Sequence, residues 1–212
     1  MEEKKGYYDI ELDVEDVVDE RATLTELFYL KDLKQRKFFL NVDIYQETVA
    51  DIVRHIMQIN KEDAGIPVED RQPIIIYVAS NGGDVDSGFE LIDVICSSVT
   101  PVYTVNMGYQ YSMGFLIGLA GHKRFATQNA KFLMHDGNEW AFGTGQKVQD
   151  RIKFSARIEG RVKEYVLSHS KISAEEYDSK LRVEWYLFAD EAKEKGFTDY
   201  IIGVDCGLEA II

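Results

Sequence analysis

The sequence has 212 residues, of which 45% are hydrophobic and 29% are charged, so a single soluble domain with its own core is expected. The formal net charge of −13 argues against a nucleic-acid backbone or an anionic membrane surface as partner, because both repel such a charge. Two cysteines, Cys96 and Cys206, are too few for a disulfide framework, and we expect a cytoplasmic location. The first residues form no apolar signal segment, and the longest apolar run, residues 115–120, is too short to span a bilayer.

Residues 1–20 carry nine acidic residues and two lysines, which is typical of a mobile arm, and we place one domain over residues 21–212. Strand and helix patterns then alternate along the chain. In order they predict a strand at 38–42, a helix at 45–60, a strand at 74–79, a helix at 86–98, a strand at 102–107, a helix at 112–117, strands at 123–126 and 132–134, helices at 146–168, from 173 and at 190–195, and a strand at 201–202. In the second helix, Cys96 is expected to point inward. This alternation predicts an α/β fold with a mainly parallel sheet.

Three features lie where predicted strands end. The Gly82-Gly83 turn is either purely structural or a place where backbone N–H groups meet a ligand oxygen. Ser112 begins a predicted helix, where it serves either as an N-cap or as a nucleophile beside free amides. Among four histidines, His135 is the one that ends an apolar strand, a common position for working side chains. No dinucleotide, phosphate-loop or G-x-S-x-G motif accompanies them.

Four segments resemble the proteolytic subunit of the Clp protease, and the resemblance extends over residues 37–204. They are Ile-Tyr-Val-Ala-Ser-Asn-Gly-Gly (76–83), Ser-Met-Gly-Phe (112–115), Lys-Arg-Phe-Ala leading to Phe-Leu-Met-His (123–135), and Asp-Glu-Ala-Lys-Glu-Lys-Gly-Phe-Thr-Asp (190–199). No one segment is diagnostic, but their order and spacing are. The resemblance implies the Clp protease and crotonase superfold, a superhelix of repeated β-β-α and βαβ units with a mainly parallel sheet. It also implies a protruding handle made of a strand and a long helix.

The resemblance further implies the roles of a serine endopeptidase that hydrolyses unfolded proteins inside an oligomeric chamber. Ser112 would be the nucleophile, His135 the general base, and the amides of Gly83 and Met113 the oxyanion hole. An outer pocket for an apolar loop of an AAA+ unfoldase ATPase would be lined by Ile75, Tyr77, Val105, Met107 and Phe125. By strand alternation alone, these residues are ordinary core positions. The implied partners are unfolded polypeptide, further copies of the chain in a seven-membered ring, and the unfoldase, with no cofactor or metal.

Glu184 stands where the family has the third catalytic residue, an aspartate. A glutamate can orient an imidazole in the same way, but its extra methylene requires the backbone to lie about 1 Å farther away. Asp178 is an alternative third member, and a Ser-His pair acting alone is another. Arg182-Val183 replaces an acid-arginine pair that often joins two rings in the family, so the stacking of two rings stays open.

Two other functions remain compatible with these residues. The glutamate and the bulky Gln110-Tyr111 pair before the serine are compatible with a catalytically inactive member of a mixed ring. An acyl-CoA enzyme of the crotonase type shares the superfold and a paired-amide oxyanion hole. The Ser-His pair and the absence of an evident basic nucleotide site in the sequence argue against that enzyme.

Overall fold

A computed structural model describes residues 23–137 and 141–212 of the chain. The predicted acidic arm, residues 1–20, lies outside the described residues. The first described element is helix α1 (Leu24–Lys34), which the sequence pattern did not indicate. Thr23 caps this helix, because its N–H donates to the Glu26 carboxylate at 2.7 Å and its hydroxyl accepts the Glu26 N–H at 3.3 Å. This reciprocal cap fixes where the helix begins.

Five parallel strands form the main sheet, in the order β1-β2-β3-β5-β8. Their bounds are Lys37–Leu40 (β1), Ile74–Val78 (β2), Val102–Asn106 (β3), Lys123–Thr127 (β5) and Tyr200–Ile202 (β8). Every residue of β2 is buried, as expected for an inner strand that is covered on both faces. The predicted α/β fold with a mainly parallel sheet is therefore confirmed.

Three helices pack together over one face of the main sheet: α2 (Gln46–Glu62), α3 (Val85–Ser97) and α4 (Met113–Leu119). All seven residues of α4 are buried. The prediction for Cys96 is wrong, since this residue is exposed while Leu91, Ile92 and Ile95 form the inward face of α3. Within the described parts of the chain, no helix has the length and apolarity to cross a membrane.

A second, three-stranded sheet has the order β4-β6-β7. Its strands are β4 (Tyr109–Tyr111), β6 (Lys131–Met134) and β7 (Trp185–Phe188), with β4 and β6 parallel and β7 antiparallel to β6. The sequence pattern indicated β6 but neither of its partners. The N–H of Tyr111 donates to the Ser80 carbonyl at 3.0 Å, which ties this sheet to the chain leaving β2.

The remaining helices are α5 (Gly145–Ser168), α6 (Ala174–Lys180) and α7 (Ala189–Glu194). Most of α5 stands away from the core, and Val166 near its end is its fully buried residue. The long helix of the predicted handle is thus present. Its strand is not found in residues 135–137 and 141–144, where the chain is irregular, and residues 138–140 lie outside the described part.

Candidate active site

Three chain segments meet at one edge of the second sheet. Ser112 directly follows β4, His135 directly follows β6, and Glu184 directly precedes β7. The ladder between β6 and β7 pairs Met134 with Trp185. Because these strands are antiparallel, the next position beyond this pair places His135 opposite Glu184.

Ser112 is held by backbone hydrogen bonds on both sides. Its N–H donates to the Leu133 carbonyl at 3.0 Å, which extends the β4–β6 pairing to a point two residues before His135. Its carbonyl accepts the N–H groups of Phe115 at 3.0 Å and Leu116 at 3.2 Å, which form the first turn of α4. A strand and a helix therefore fix the serine from opposite directions.

The backbone of Ser112 adopts φ 53° and ψ −123°, a region that non-glycine residues rarely occupy. Its side chain makes no capping hydrogen bond, so the hydroxyl does not act as the N-cap of α4. A strained turn between a strand and a helix is also what exposes the nucleophile in enzymes with a G-x-S-x-G motif, which this chain lacks. Such strain costs about 1–3 kcal/mol and persists where the surrounding structure imposes it.

His135 is oriented by Glu184. The Nδ1–H group of His135 donates to Oε1 of Glu184 at 3.0 Å. Because an ionised carboxylate can only accept, this contact leaves Nε2 as the proton acceptor of the neutral ring, as a general base requires. The His135 side chain is 19% exposed and the Glu184 side chain 57%. The longer side chain at position 184 thus reaches the imidazole, while its role in catalysis stays a prediction.

Tyr186 contacts the second oxygen of the same carboxylate, a contact that was not predicted from the sequence. Its hydroxyl donates to Oε2 of Glu184 at 3.3 Å. Loss of solvation and the charge of Glu184 raise the pKa of Tyr186, which keeps this hydroxyl protonated. Its ring stands nearly perpendicular to Tyr111, with centroids 5.8 Å apart. The period of two in a strand, which puts residues 184 and 186 on one side, was the available signal.

Asp178, the alternative third member, is engaged elsewhere. Its two carboxylate oxygens lie 2.6 and 2.7 Å from Nζ of Lys163. The contact links α6 to α5 and neutralises the carboxylate. Among the described residues, the carboxylate that hydrogen-bonds to His135 is Glu184.

Two glycines let the chain after β2 approach the serine. Gly82 and Gly83 have positive φ angles of 105° and 150°. A Cβ atom on Gly82 would lie 2.7 Å from Cβ of Ser112 and 3.0 Å from the Met113 nitrogen. A Cβ atom on Gly83 would lie 2.3 Å from the Ile44 carbonyl oxygen. Both the backbone conformation and the lack of space therefore require glycine.

Two backbone N–H groups, one directly after Gly82 and one directly after Ser112, have no acceptor within the described parts of the chain. They belong to Gly83 and Met113. Met113 is the first residue of α4, where amides lack an intrahelical partner. Free amides beside a nucleophilic serine are the components of an oxyanion hole, and this role for Gly83 and Met113 stays a prediction.

Within residues 23–137 and 141–212, no hydrogen bond joins the Ser112 hydroxyl to the His135 ring. Catalytic hydrogen bonds are often long before substrate binds and shorten in the complex. The same described residues contain no cluster of three or more His, Cys, Asp or Glu side chains that is arranged to hold a metal ion. The side chains that do come together are those of His135, Glu184 and Tyr186, and the backbone of Ser112 pairs with the strand that leads to His135.

The residues expected to line a partner pocket fall into two groups. Four of them are buried on the face of the main sheet opposite the large core: Ile75, Tyr77, Val105 and Phe125. Met107, the fifth, is 50% exposed. The buried four pack against Ile202 and Ile211, so residues near the end of the sequence cover this face. Ile211 therefore occupies part of the face on which the partner pocket was expected, and the role of these five residues in binding a partner stays a prediction.

Comparisons with known proteins identify the family of this chain. A sequence model of the family described as Clp protease matches residues 20–205. The ATP-dependent Clp protease proteolytic subunit 2 of Treponema pallidum is 28% identical over 83% of this chain and 86% of its own length. The subunit of the same name from Corynebacterium diphtheriae is 28% identical over 84% of this chain and 88% of its own. The ATP-dependent Clp protease proteolytic subunit 1 of Chlamydia abortus is 28% identical over 84% of this chain and 92% of its own length. Because the family match spans most of the sequence, including both sheets and the edge where Ser112 lies, the chain belongs to the Clp protease family.

Proposed function

We propose that the chain is a serine endopeptidase that hydrolyses peptide bonds of unfolded proteins. Ser112 is the nucleophile and His135 the general base, while Glu184 orients the imidazole and stabilises it when it becomes charged. The amides of Gly83 and Met113 bind the oxyanion. The bond from His135 to Glu184 at 3.0 Å, placed beside a strained Ser112, is the observation that carries this assignment.

The reaction follows from these positions. The Ser112 hydroxyl oxygen attacks the peptide carbonyl carbon while Nε2 of His135 takes its proton. Negative charge then develops on the former carbonyl oxygen, which accepts hydrogen bonds from the two free amides. His135 returns the proton to the leaving amine, and an acyl-enzyme remains on Ser112. Water, deprotonated by His135, attacks this ester, releases the carboxylic acid and restores the serine.

The chamber and the unfoldase form the second part of the proposal. Several copies of the chain form a ring, or two stacked rings, with Ser112 facing the interior, so that folded proteins are excluded. An AAA+ unfoldase ATPase delivers unfolded chains to that interior. The names of the relatives, which describe proteolytic subunits of an ATP-dependent protease, support this part.

A fluorophosphonate probe tests the chemistry directly, because it reacts with an activated serine without needing a peptide substrate. We expect Ser112 to be labelled, and both Ser112→Ala and His135→Ala to abolish labelling. Ser179→Ala, in helix α6, is the control and should label normally. Absence of labelling in the assembled wild-type particle would refute the enzymatic assignment. A native mass that is a multiple of seven chains is the expected result for the ring, and a monomer would refute it.

One observation favours the alternative of an inactive ring member. The Ser112 hydroxyl and the His135 ring are not hydrogen-bonded to each other within the described residues. Incubation of the purified chain with a short fluorogenic peptide separates the two functions, since an inactive subunit cleaves nothing alone. The family assignment favours either of them over an acyl-CoA enzyme.

A further inference from the structure

The apolar outer face of the main sheet carries an occupant from the same chain. A short turn (Leu208–Ala210) brings residues 208–212, named here the cover segment, onto this face. Ile211 is 1% exposed and inserts among the residues that share the face: Ile75, Tyr77, Val105, Phe125 and Ile202. These five residues are named here the seat. The neighbouring Ile212 is 68% exposed, so one side chain enters the seat and the next does not.

Polar contacts place the cover segment as well. The Tyr77 hydroxyl donates to the Ile211 carbonyl, which lies 134 residues away in sequence. Upstream, the Gly203 N–H donates to the Cys206 carbonyl at 2.7 Å, so the chain reverses direction immediately after β8. The segment is therefore docked on the seat through one inserted side chain and one accepting carbonyl.

We propose that the cover segment is an exchangeable occupant of the seat and that the unfoldase loop binds there by displacing it. The existence of this partner rests on the proposed function. The cover segment can leave the seat readily because only one of its three large apolar side chains is buried. Leu208 and Ile212, its other large apolar side chains, are 52% and 68% exposed. A permanent core element would bury a continuous apolar stripe, whereas Ile211 supplies the one large apolar side chain that this segment buries.

The occupant also indicates the chemistry of its competitor. The seat presents aliphatic and aromatic walls together with one hydroxyl donor. Burial raises the pKa of Tyr77, so its hydroxyl stays protonated and available to donate. A competing loop needs a branched aliphatic side chain next to a free backbone carbonyl, which an extended loop tip provides.

Competition for one seat has a measurable consequence. The apparent affinity of a partner falls in proportion to the fraction of molecules whose seat is open. Burial of one isoleucine shifts such an equilibrium about ten- to a hundredfold. Removal of the cover segment should therefore tighten partner binding by about tenfold or more.

The first experiment measures exposure of the seat with anilinonaphthalene sulfonate, a dye that brightens on accessible apolar surface. Four proteins are compared: the full chain, a chain ending at Gly207, Ile211→Asp and Ile212→Asp. The last two place the same charge on adjacent isoleucines, one seated and one exposed. We expect brighter dye with the shortened chain and Ile211→Asp, and no change with Ile212→Asp. Equal fluorescence in all four proteins, or an equal rise in both aspartate variants, would overturn the proposal.

The second experiment tests exchange with a fluorescent peptide of residues 207–212, Gly-Leu-Glu-Ala-Ile-Ile. Fluorescence polarisation measures the affinity of this peptide for each protein. We expect the shortened chain and the full-length Ile211→Asp variant to bind the peptide at least about tenfold more tightly than the full wild-type chain does. The peptide carrying Ile211→Asp should not bind. Equal binding to the full and shortened chains, or no binding to either open variant, would contradict exchange.

Fluorophosphonate labelling of the same proteins reports separately on the proposed function. Peptide binding without Ser112 labelling would refute the peptidase and support the exchangeable seat. Labelling without peptide binding would refute the seat and support the peptidase.

Discussion

The replacement of Glu184 by glutamine tests whether this carboxylate acts on His135. The variant keeps the length of the side chain and removes its charge. At the observed 3.0 Å, Coulomb's law gives an attraction to a charged imidazole of about 1.4 kcal/mol in bulk water and about 5.5 kcal/mol at an effective dielectric constant of about 20. Because 57% of the Glu184 side chain is exposed, solvent screening places the loss near the lower limit, about 1.5–2.5 kcal/mol.

This loss corresponds to a fall in kcat of about 10- to 70-fold. It is smaller than the fall of about 10⁴-fold that follows when the buried aspartate of a Ser-His-Asp triad becomes asparagine. The assay is cleavage of a short fluorogenic peptide, together with the rate constant for fluorophosphonate labelling. Asp178→Asn is the matched control and should leave both unchanged, since Asp178 is paired with Lys163. A Glu184→Gln variant within twofold of the wild-type kcat would refute the reasoning, and so would a large effect of Asp178→Asn.

Three further predictions concern the surroundings of the site and the core. Tyr186→Phe removes the hydroxyl contact with Glu184 but keeps the ring beside Tyr111. We therefore expect kcat to fall about two- to tenfold, with KM and the melting temperature unchanged. If the melting temperature fell together with kcat, Tyr186 would have a structural role instead. Gly82→Ala places a Cβ atom 2.7 Å from that of Ser112 in a backbone conformation with φ 105°. We expect this variant to lose fluorophosphonate labelling and to unfold with a free energy that is about 1–3 kcal/mol lower. Gly108→Ala, where the new Cβ atom has open space around it, is the control and should change neither quantity. Burial opposes ionisation of Asp63, but hydrogen bonds from Arg36 and Thr100 and the charge of Arg36 outweigh it and lower the pKa of Asp63 below its usual 3.8. Because the folded value is lowered, the stabilisation is present above pH 3.8 and is lost as the pH falls through the folded pKa. Asp63→Asn, which leaves the mostly buried Arg36 without a charged partner, should cost about 3 kcal/mol at pH 7 and flatten this acid dependence, as measured by denaturant unfolding.

The main sheet was predictable because its strands carry a strong local pattern. The five residues of β2 are apolar and wholly buried, and α2 repeats its buried residues at helical spacing. Strand β4 gives no such pattern. Its central residue, Gln110, is buried at 3% exposure, while the tyrosines on either side are partly exposed, which inverts the usual alternation. Tertiary contacts therefore decide that strand, and local sequence cannot reveal it.

In the candidate site, too, the sequence indicated individual residues, whereas tertiary contacts decide which of them meet. Ser112 and His135 were candidates from their positions at strand ends, where each also has an ordinary structural interpretation, and the family resemblance supplied their catalytic roles. The pairing of β4 with β6 brings the backbone of Ser112 beside β6, and the pairing of β7 with β6 sets Glu184 opposite His135; the pattern missed both β4 and β7. The contact between Tyr77 and Ile211 joins positions 134 residues apart, and neither residue carries a local signal for it. Pairing between distant segments is the information that one sequence, examined locally, does not contain.

The conformation of Ser112 explains how a strained turn between a strand and a helix forms without a G-x-S-x-G motif. Three separate elements impose it: the N–H bond to β6, the carbonyl bonds that start α4, and the close approach of Gly82. The strain of about 1–3 kcal/mol is a sizeable share of the 5–15 kcal/mol that stabilises a typical domain. Favourable packing in the rest of the fold has to offset it, and the seven buried residues of α4, which begin directly after Ser112, contribute to that packing. The geometry of Ser112, the proposed nucleophile, therefore depends on how well α4 packs, and large-to-small substitutions in that helix should disturb labelling of Ser112 before they unfold the protein.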